Sequence, residues 1–151
     1  MPDQPRVVLS DCRTQRNLNA QGRADSRTIG RGVRRLRLRM GQVLASPFCR
    51  TKETARLAFG RFRVSGALLN TVVAEHDARW RRQIRDARRL LGTRPGPGRL
   101  TVLVTHGSVV EDATGRTLEE GETIVFRPLG SSRFRLRGRV LAHEWKTLAP
   151  G

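Results

Sequence analysis

The chain has 151 residues, of which 37% are hydrophobic and 28% charged, and carries a formal net charge of +17 at pH 7. That length suits one domain able to bury a single sheet with helices around it. It contains no apolar run near the roughly 20 residues of a membrane-spanning helix, which excludes that class.

Lys52 and Lys146 are the only lysines, so 28 of the 30 basic residues are arginine. A polyanion partner such as nucleic acid is one explanation, since arginines release counterions from a phosphate backbone. The arginines are scattered along the chain, however, and do not form one stripe interleaved with aromatics. A general bias toward arginine explains that pattern better, and it speaks against nucleic acid as the partner. Either way, the positive field steers anionic, phosphorylated ligands inward. With aromatics at 5% and no tyrosine, the core must be mostly aliphatic. Cys12 and Cys49 lack the neighbours that a zinc site requires. Met1-Pro2-Asp3-Gln4-Pro5 has neither the charged start nor the apolar stretch of a signal peptide, so the chain as written is expected in the cytoplasm. A lost upstream segment would reopen export.

In chain order, residues 1–18 read as irregular, with a short strand expected at Arg6–Leu9. Asn19 to about Arg37 has helical spacing at Ala24, Ile29, Val33 and Leu36, with Asn19 as N-cap and Gly30 and Gly32 weakening the end. A strand at Gln42–Ala45 stops at Ser46-Pro47. A helix from about Thr51 ends at Gly60. Residues 61–72 are ambiguous. Ala74 to Leu91 reads as a second long helix, with Trp80, Ile84, Ala87 and Leu91 on one face. After a Pro/Gly loop at 93–98, the continuous apolar run Leu100–Thr105 predicts a central strand buried on both faces. A short helix at Ser108–Ala113 follows. Two strands, Glu122–Arg127 and Arg133–Leu141, come next, the second alternating Phe134, Leu136 and Gly138 with arginines. Residues 142–151 read as a tail. The alternation of strands and helices predicts one α/β domain, a three-layer sandwich.

In such sheets, ligands bind beyond the carboxyl ends of the strands. Arg50 stands there at the start of a helix, where free amide groups, the helix dipole and a forked guanidinium together suit a phosphate. The bland alternative is one surface arginine among many. His106 stands past the second strand end, as a phosphate contact or as a structural histidine. Glu53, three residues beyond Arg50, could hold its guanidinium. Cys49 at a helix start has the setting of a lowered thiol pKa, although a buried small hydrophobe is the commoner role. His143 reads as a surface residue near the C-terminal end.

Ser46-Pro47-Phe48-Cys49-Arg50-Thr51-Lys52-Glu53-Thr54-Ala55, Thr105-His106-Gly107 and Gln15-Arg16-Asn17-Leu18 with Gly22-Arg23 resemble, in order and spacing, elements of the histidine phosphatase superfamily, the phosphoglycerate-mutase-like enzymes. The resemblance runs over most of residues 11–141. It implies a phosphoglycerate-mutase-like sandwich and hydrolysis of phosphomonoesters through a phosphohistidine. A phosphorylated small molecule or phosphate ion would be the ligand, with no cofactor or metal. It places Arg50 and His106 in catalysis and adds Arg16, Asn17 and Gly107 as phosphate-binding residues. Glu75, Asp77 and Glu111 remain alternatives for the proton donor, each with a solvated helix-start carboxylate as its plainer identity. In this resemblance Cys12 and Cys49 lie near one pocket mouth, as a disulfide if the protein is exported or as free thiols in the cytoplasm.

The family's Arg-His-Gly or Arg-His-Ala element, whose histidine becomes phosphorylated, is missing. His76, His106 and His143 are the only histidines, and none follows an arginine after an early strand. Two accounts fit. In one, Ser10-Asp11-Cys12 replaces that element and the protein is a pseudoenzyme. In the other, which Pro2-Asp3-Gln4-Pro5 favours because it resembles the loop after the catalytic strand, the domain is incomplete at its N-terminal side. Substrate and oligomeric state are not encoded in any motif.

Overall fold

The structure, a computed structural model, describes residues 2–72 and 77–150. Two pieces of sheet organise it. Three parallel strands, β1 (Met40–Ala45), β2 (Arg63–Val64) and β3 (Leu100–Val104), lie in the order β2-β1-β3. A separate antiparallel hairpin joins β4 (Thr123–Gly130) to β5 (Arg133–Val140). Four helices complete the α/β fold expected from the sequence: α1 (Ala20–Arg35), α2 (Cys49–Phe59), α3 (Ala78–Gly92) and α4 (Gly107–Thr114).

Local chemistry accounts for the boundaries. The Asn19 side chain accepts the Gly22 amide hydrogen at the start of α1, and the Asp77 carboxylate accepts those of Arg79 and Trp80 at the start of α3, each satisfying orphan donors of a first turn. Helix α2 ends at Gly60, whose φ of +80° suits a residue without a Cβ.

The core is split into patches. Val43, Ala45 and Ala55 pack with Val102 and Val104, seating α2 on the parallel sheet. Ile29, Val33, Ala58 and Trp145 join α1, α2 and the C-terminal segment. Ile84, Ala87, Val109 and Ala113 join α3 to α4. On β5 the arginines face outward and Phe134, Leu136 and Val140 inward, as the alternation predicted.

Several expectations need correcting. The central strand is β1, not β3. Pairing with β2 and β3 uses both of its edges, whereas the outer edge of β3 has no strand partner among the described residues. An apolar run reports burial, not position in the sheet, and even the burial is partial, since Leu100 is 42% exposed. No strand forms at Arg6–Leu9. That segment is held instead by the Gln15 side-chain amide, which donates to the carbonyls of Val8 and Leu9. Gly30 and Gly32, weak in helix propensity, are also points of close contact. A Cβ on Gly30 would lie 2.5 Å from the Ala58 carbonyl oxygen, and one on Gly32 would lie 2.8 Å from the Trp145 ring. The supposed tail docks: Ala142–Lys146 form a 3-10 turn that buries Trp145 against α1.

Candidate anion site

Parallel register sets the site. Ala45 pairs with Val104, and the Ser46 amide donates to the Val104 carbonyl at 3.0 Å. The residues that follow each strand therefore emerge together at one carboxyl end of the sheet. From β1 come Ser46, Phe48 and Arg50; from β3 comes His106, which is also the N-cap residue of α4.

Arg50 and His106 meet there. Arg50 Nη2 lies 3.4 Å from His106 Nδ1, and His106 Nε2 lies 2.8 Å from Ser46 Oγ. Because arginine only donates, Nδ1 is the accepting nitrogen and Nε2 carries the hydrogen toward Ser46. The Phe48 ring fixes both groups, with the guanidinium carbon 4.4 Å above its centroid and the imidazole edge-on at 4.9 Å. Burial, followed by the adjacent Arg50 charge, pushes the His106 pKa from its ordinary 6.5 down to about 4, against a smaller upward pull from Asp3. The imidazole is thus neutral at pH 7, and the site's fixed positive charge sits on Arg50.

An anion already touches that charge. Asp3 Oδ1 accepts from Arg50 Nη1 at 3.0 Å and from the Arg16 backbone amide at 2.6 Å. Arg50 Nη1 also donates to the Arg16 carbonyl at 3.2 Å. Neither Asp3 nor the Arg16 amide was anticipated as a site element. Asp3 lies 47 residues from Arg50 within an irregular segment, and nothing in the local sequence announces the contact.

The other predicted residues are placed as follows. The Arg16 backbone faces the site, while its side chain reaches the exposed Glu120 at 2.6 Å. The Asn17 amide nitrogen is engaged by the carbonyls of Cys12 and Gln15, at 2.7 and 3.2 Å. Gly107 opens α4 directly after His106. Glu53 does not support Arg50: its carboxylate pairs with Arg23 at 2.7 Å, because α1 packs along α2 and offers a nearer cation. Asp77 is engaged as the cap of α3, and those amide hydrogen bonds hold its carboxyl below the usual carboxylate range. Glu111 is an exposed residue of α4. Glu75, like His76, lies outside the described residues. His143 is exposed.

Cys12 and Cys49 form a disulfide, with their Cα atoms 5.7 Å apart, so Cys49 presents no thiol for nucleophilic attack. The bridge pins the N-terminal segment to the start of α2. Gln15, 1% exposed, strengthens the junction by accepting the Cys49 amide hydrogen at 2.8 Å. One of the free amides expected for anion binding at this helix start is therefore already occupied. Among the described residues no cluster of three or more His, Cys, Asp and Glu side chains could hold a metal ion, and no helix is long and apolar enough to cross a membrane.

Fold and site together define an α/β protein with a cationic centre at the carboxyl end of a parallel sheet. Compared with family models and with curated proteins, the sequence matches none. Among solved structures the chain is similar to the protein histidine phosphatase SixA in its complex with tungstate. The TM-score is 0.61 and the identity 18%, over 95% of this chain and 94% of that one. The shared property at this identity is the fold.

Proposed function

We propose that this chain is a histidine-phosphatase-like protein whose Arg50–His106 centre binds a phosphoryl group, and that it lacks the histidine nucleophile of the complete superfamily form. The observation that carries the reading is the convergence of Arg50 and His106 on one point past β1 and β3, with Arg50 already holding a carboxylate oxygen. The fold shared with a histidine phosphatase solved with tungstate, a tetrahedral oxyanion, supports the same ligand class.

The chemistry follows from these side chains. Arg50 offers to a phosphoryl oxygen the Nη1 donor that Asp3 now occupies, and its charge offsets the negative charge that builds during transfer. His106 stays neutral, its Nδ1 accepting from Arg50 and its Nε2 hydrogen directed at Ser46, and so holds the guanidinium in place. Ser46 keeps the ring in place. No group in this set attacks phosphorus. His106 is buried and committed on both nitrogens, and Cys49 is oxidised. Turnover in the full superfamily form passes through a phosphohistidine.

Titration with inorganic phosphate and an assay with p-nitrophenyl phosphate test this reading. The expected result is phosphate binding without turnover, weakened about tenfold or more in Arg50→Ala, as befits loss of charged hydrogen bonds. Phosphate binding indifferent to Arg50→Ala would refute the site. Steady turnover would refute the missing nucleophile and leave the site standing.

A further inference from the structure

The segment Pro2–Arg6 crosses the anion site while burying almost nothing of its own. Of these five residues, four are exposed and Asp3 alone is half-buried. Its anchors are polar. Besides the Asp3 contacts, the Gln4 amide donates to the Thr14 carbonyl at 3.0 Å, and the Gln4 side chain reaches the Arg13 carbonyl at 3.5 Å. No apolar side chain of the segment is among the core residues. Its contact with the anion site itself is one carboxylate, that of Asp3.

That carboxylate uses the donors an oxyanion would need. Asp3 Oδ1 receives the Arg16 amide hydrogen and one arm of the Arg50 fork. Both donors point at a single oxygen position, and the second arm of Arg50 is turned to His106. A phosphate oxygen cannot share that position with Oδ1. Electrostatics gives the same answer, because two anions on one guanidinium repel each other while a single one is stabilised. The bond is nonetheless replaceable. Asp3 brings one negative charge, whereas a phosphomonoester brings close to two and three acceptor oxygens.

We propose that Asp3 is a built-in competitor for the anion site: an autoinhibitory carboxylate that a phosphoryl ligand must expel, with Pro2–Arg6 as the strap that carries it. This rests on the phosphate-binding reading above and adds its regulation. The apparent affinity for phosphate equals the intrinsic affinity multiplied by the fraction of molecules in which the strap is off. A partner that captures residues 2–6 would therefore open the site without touching Arg50.

Calorimetric titration of inorganic phosphate into the unaltered chain, Asp3→Asn and Arg50→Ala provides the test. Asparagine keeps the size of the side chain and removes its charge, so Asp3→Asn is expected to bind phosphate about tenfold more tightly than the unaltered chain. If Asp3→Asn binds no tighter while Arg50→Ala loses binding, the competitor is refuted and the site stands. If the unaltered chain and Asp3→Asn both fail to bind, the phosphate site itself is refuted and the competitor with it. Should Asp3→Asn fail to fold, hydrogen exchange on the unaltered chain decides. Saturating phosphate must expose the Gln4 amide, now bonded to Thr14, and unchanged protection there overturns the proposal.

Discussion

Burial of His106 makes stability depend on pH. The residue is 8% exposed, beside a guanidinium, and its pKa is lowered from 6.5 to about 4. In the unfolded chain the imidazole takes up a proton as pH falls through about 6.5, while the folded form stays neutral until about pH 4. The unfolded state binds more protons across that window, so stability falls with pH throughout it and levels off below. At about 1.4 kcal/mol per pH unit, a window of 2.5 units amounts to roughly 3 kcal/mol. Urea unfolding at pH 7 and at pH 4.5 checks this. His106→Gln, which cannot titrate, is expected to lose markedly less stability between those two pH values than the unaltered chain, since carboxylate effects are common to both. An equal loss in the two proteins would mean that the imidazole is not held neutral. The same neutrality leaves Arg50 as the permanent positive charge there, the one that the Asp3 carboxylate contacts.

At the scale of elements, close approach governs more than propensity does. Gly30 sits on the face of α1 that meets α2, and the nearest atoms to a Cβ there are backbone: the Ala58 carbonyl oxygen at 2.5 Å and Cα at 2.9 Å. Alanine would gain about 1 kcal/mol of helix propensity. It would also force two helices apart through atoms that cannot rotate away, at a cost of about 1–3 kcal/mol. Gly30→Ala is therefore expected to lower the thermal midpoint. Gly22→Ala meets side-chain atoms rather than backbone, nearest the flexible end of Leu18 at 3.1 Å and then Asn19 Oδ1 at 3.5 Å, and is expected to leave the midpoint near its original value. If both substitutions raised it, the interhelical contact would be looser than the structure has it. This contrast also marks what could be read in the sequence. Caps at Asn19 and Gly60, the period of α1 and α3 and the alternation of β5 are local signals, and the elements follow them. The strand-turn-helix around Ser46–Arg50 and the strand end at His106 were legible for the same reason. Glycines that mediate contact, the order of strands and the partner of Arg50 depend on what lies opposite in space. Glu53 lost to Asp3 as that partner because the packing of α1 against α2 supplied Arg23.

For the molecule as a whole, the weak point is the attachment of its N-terminal segment. Residues 2–18 contain no strand and no α-helix, and Val8 and Leu9 are 43% and 37% exposed. Hydrophobic burial therefore contributes little there. The disulfide between Cys12 and Cys49, 37 residues apart, and the buried Gln15 supply what packing does not. Closing a loop of that size removes unfolded-state entropy equivalent to about 4 kcal/mol at 25 °C in the chain-entropy model. For a domain of this size, each kcal/mol moves the thermal midpoint by about 2–4 °C. Reduction is thus expected to lower the midpoint by about 10 °C in a melt run with and without dithiothreitol. It should also weaken phosphate binding, because Arg16, whose amide and carbonyl both meet groups of the site, lies four residues from Cys12 and loses its tether. Cys12→Ser with Cys49→Ser should reproduce both effects and be insensitive to reductant. If reduction shifted the midpoint but left phosphate affinity untouched, the bridge would stabilise the fold without positioning the site. Arg50 and His106, both anchored past the strands of the parallel sheet, would then suffice to hold the anion.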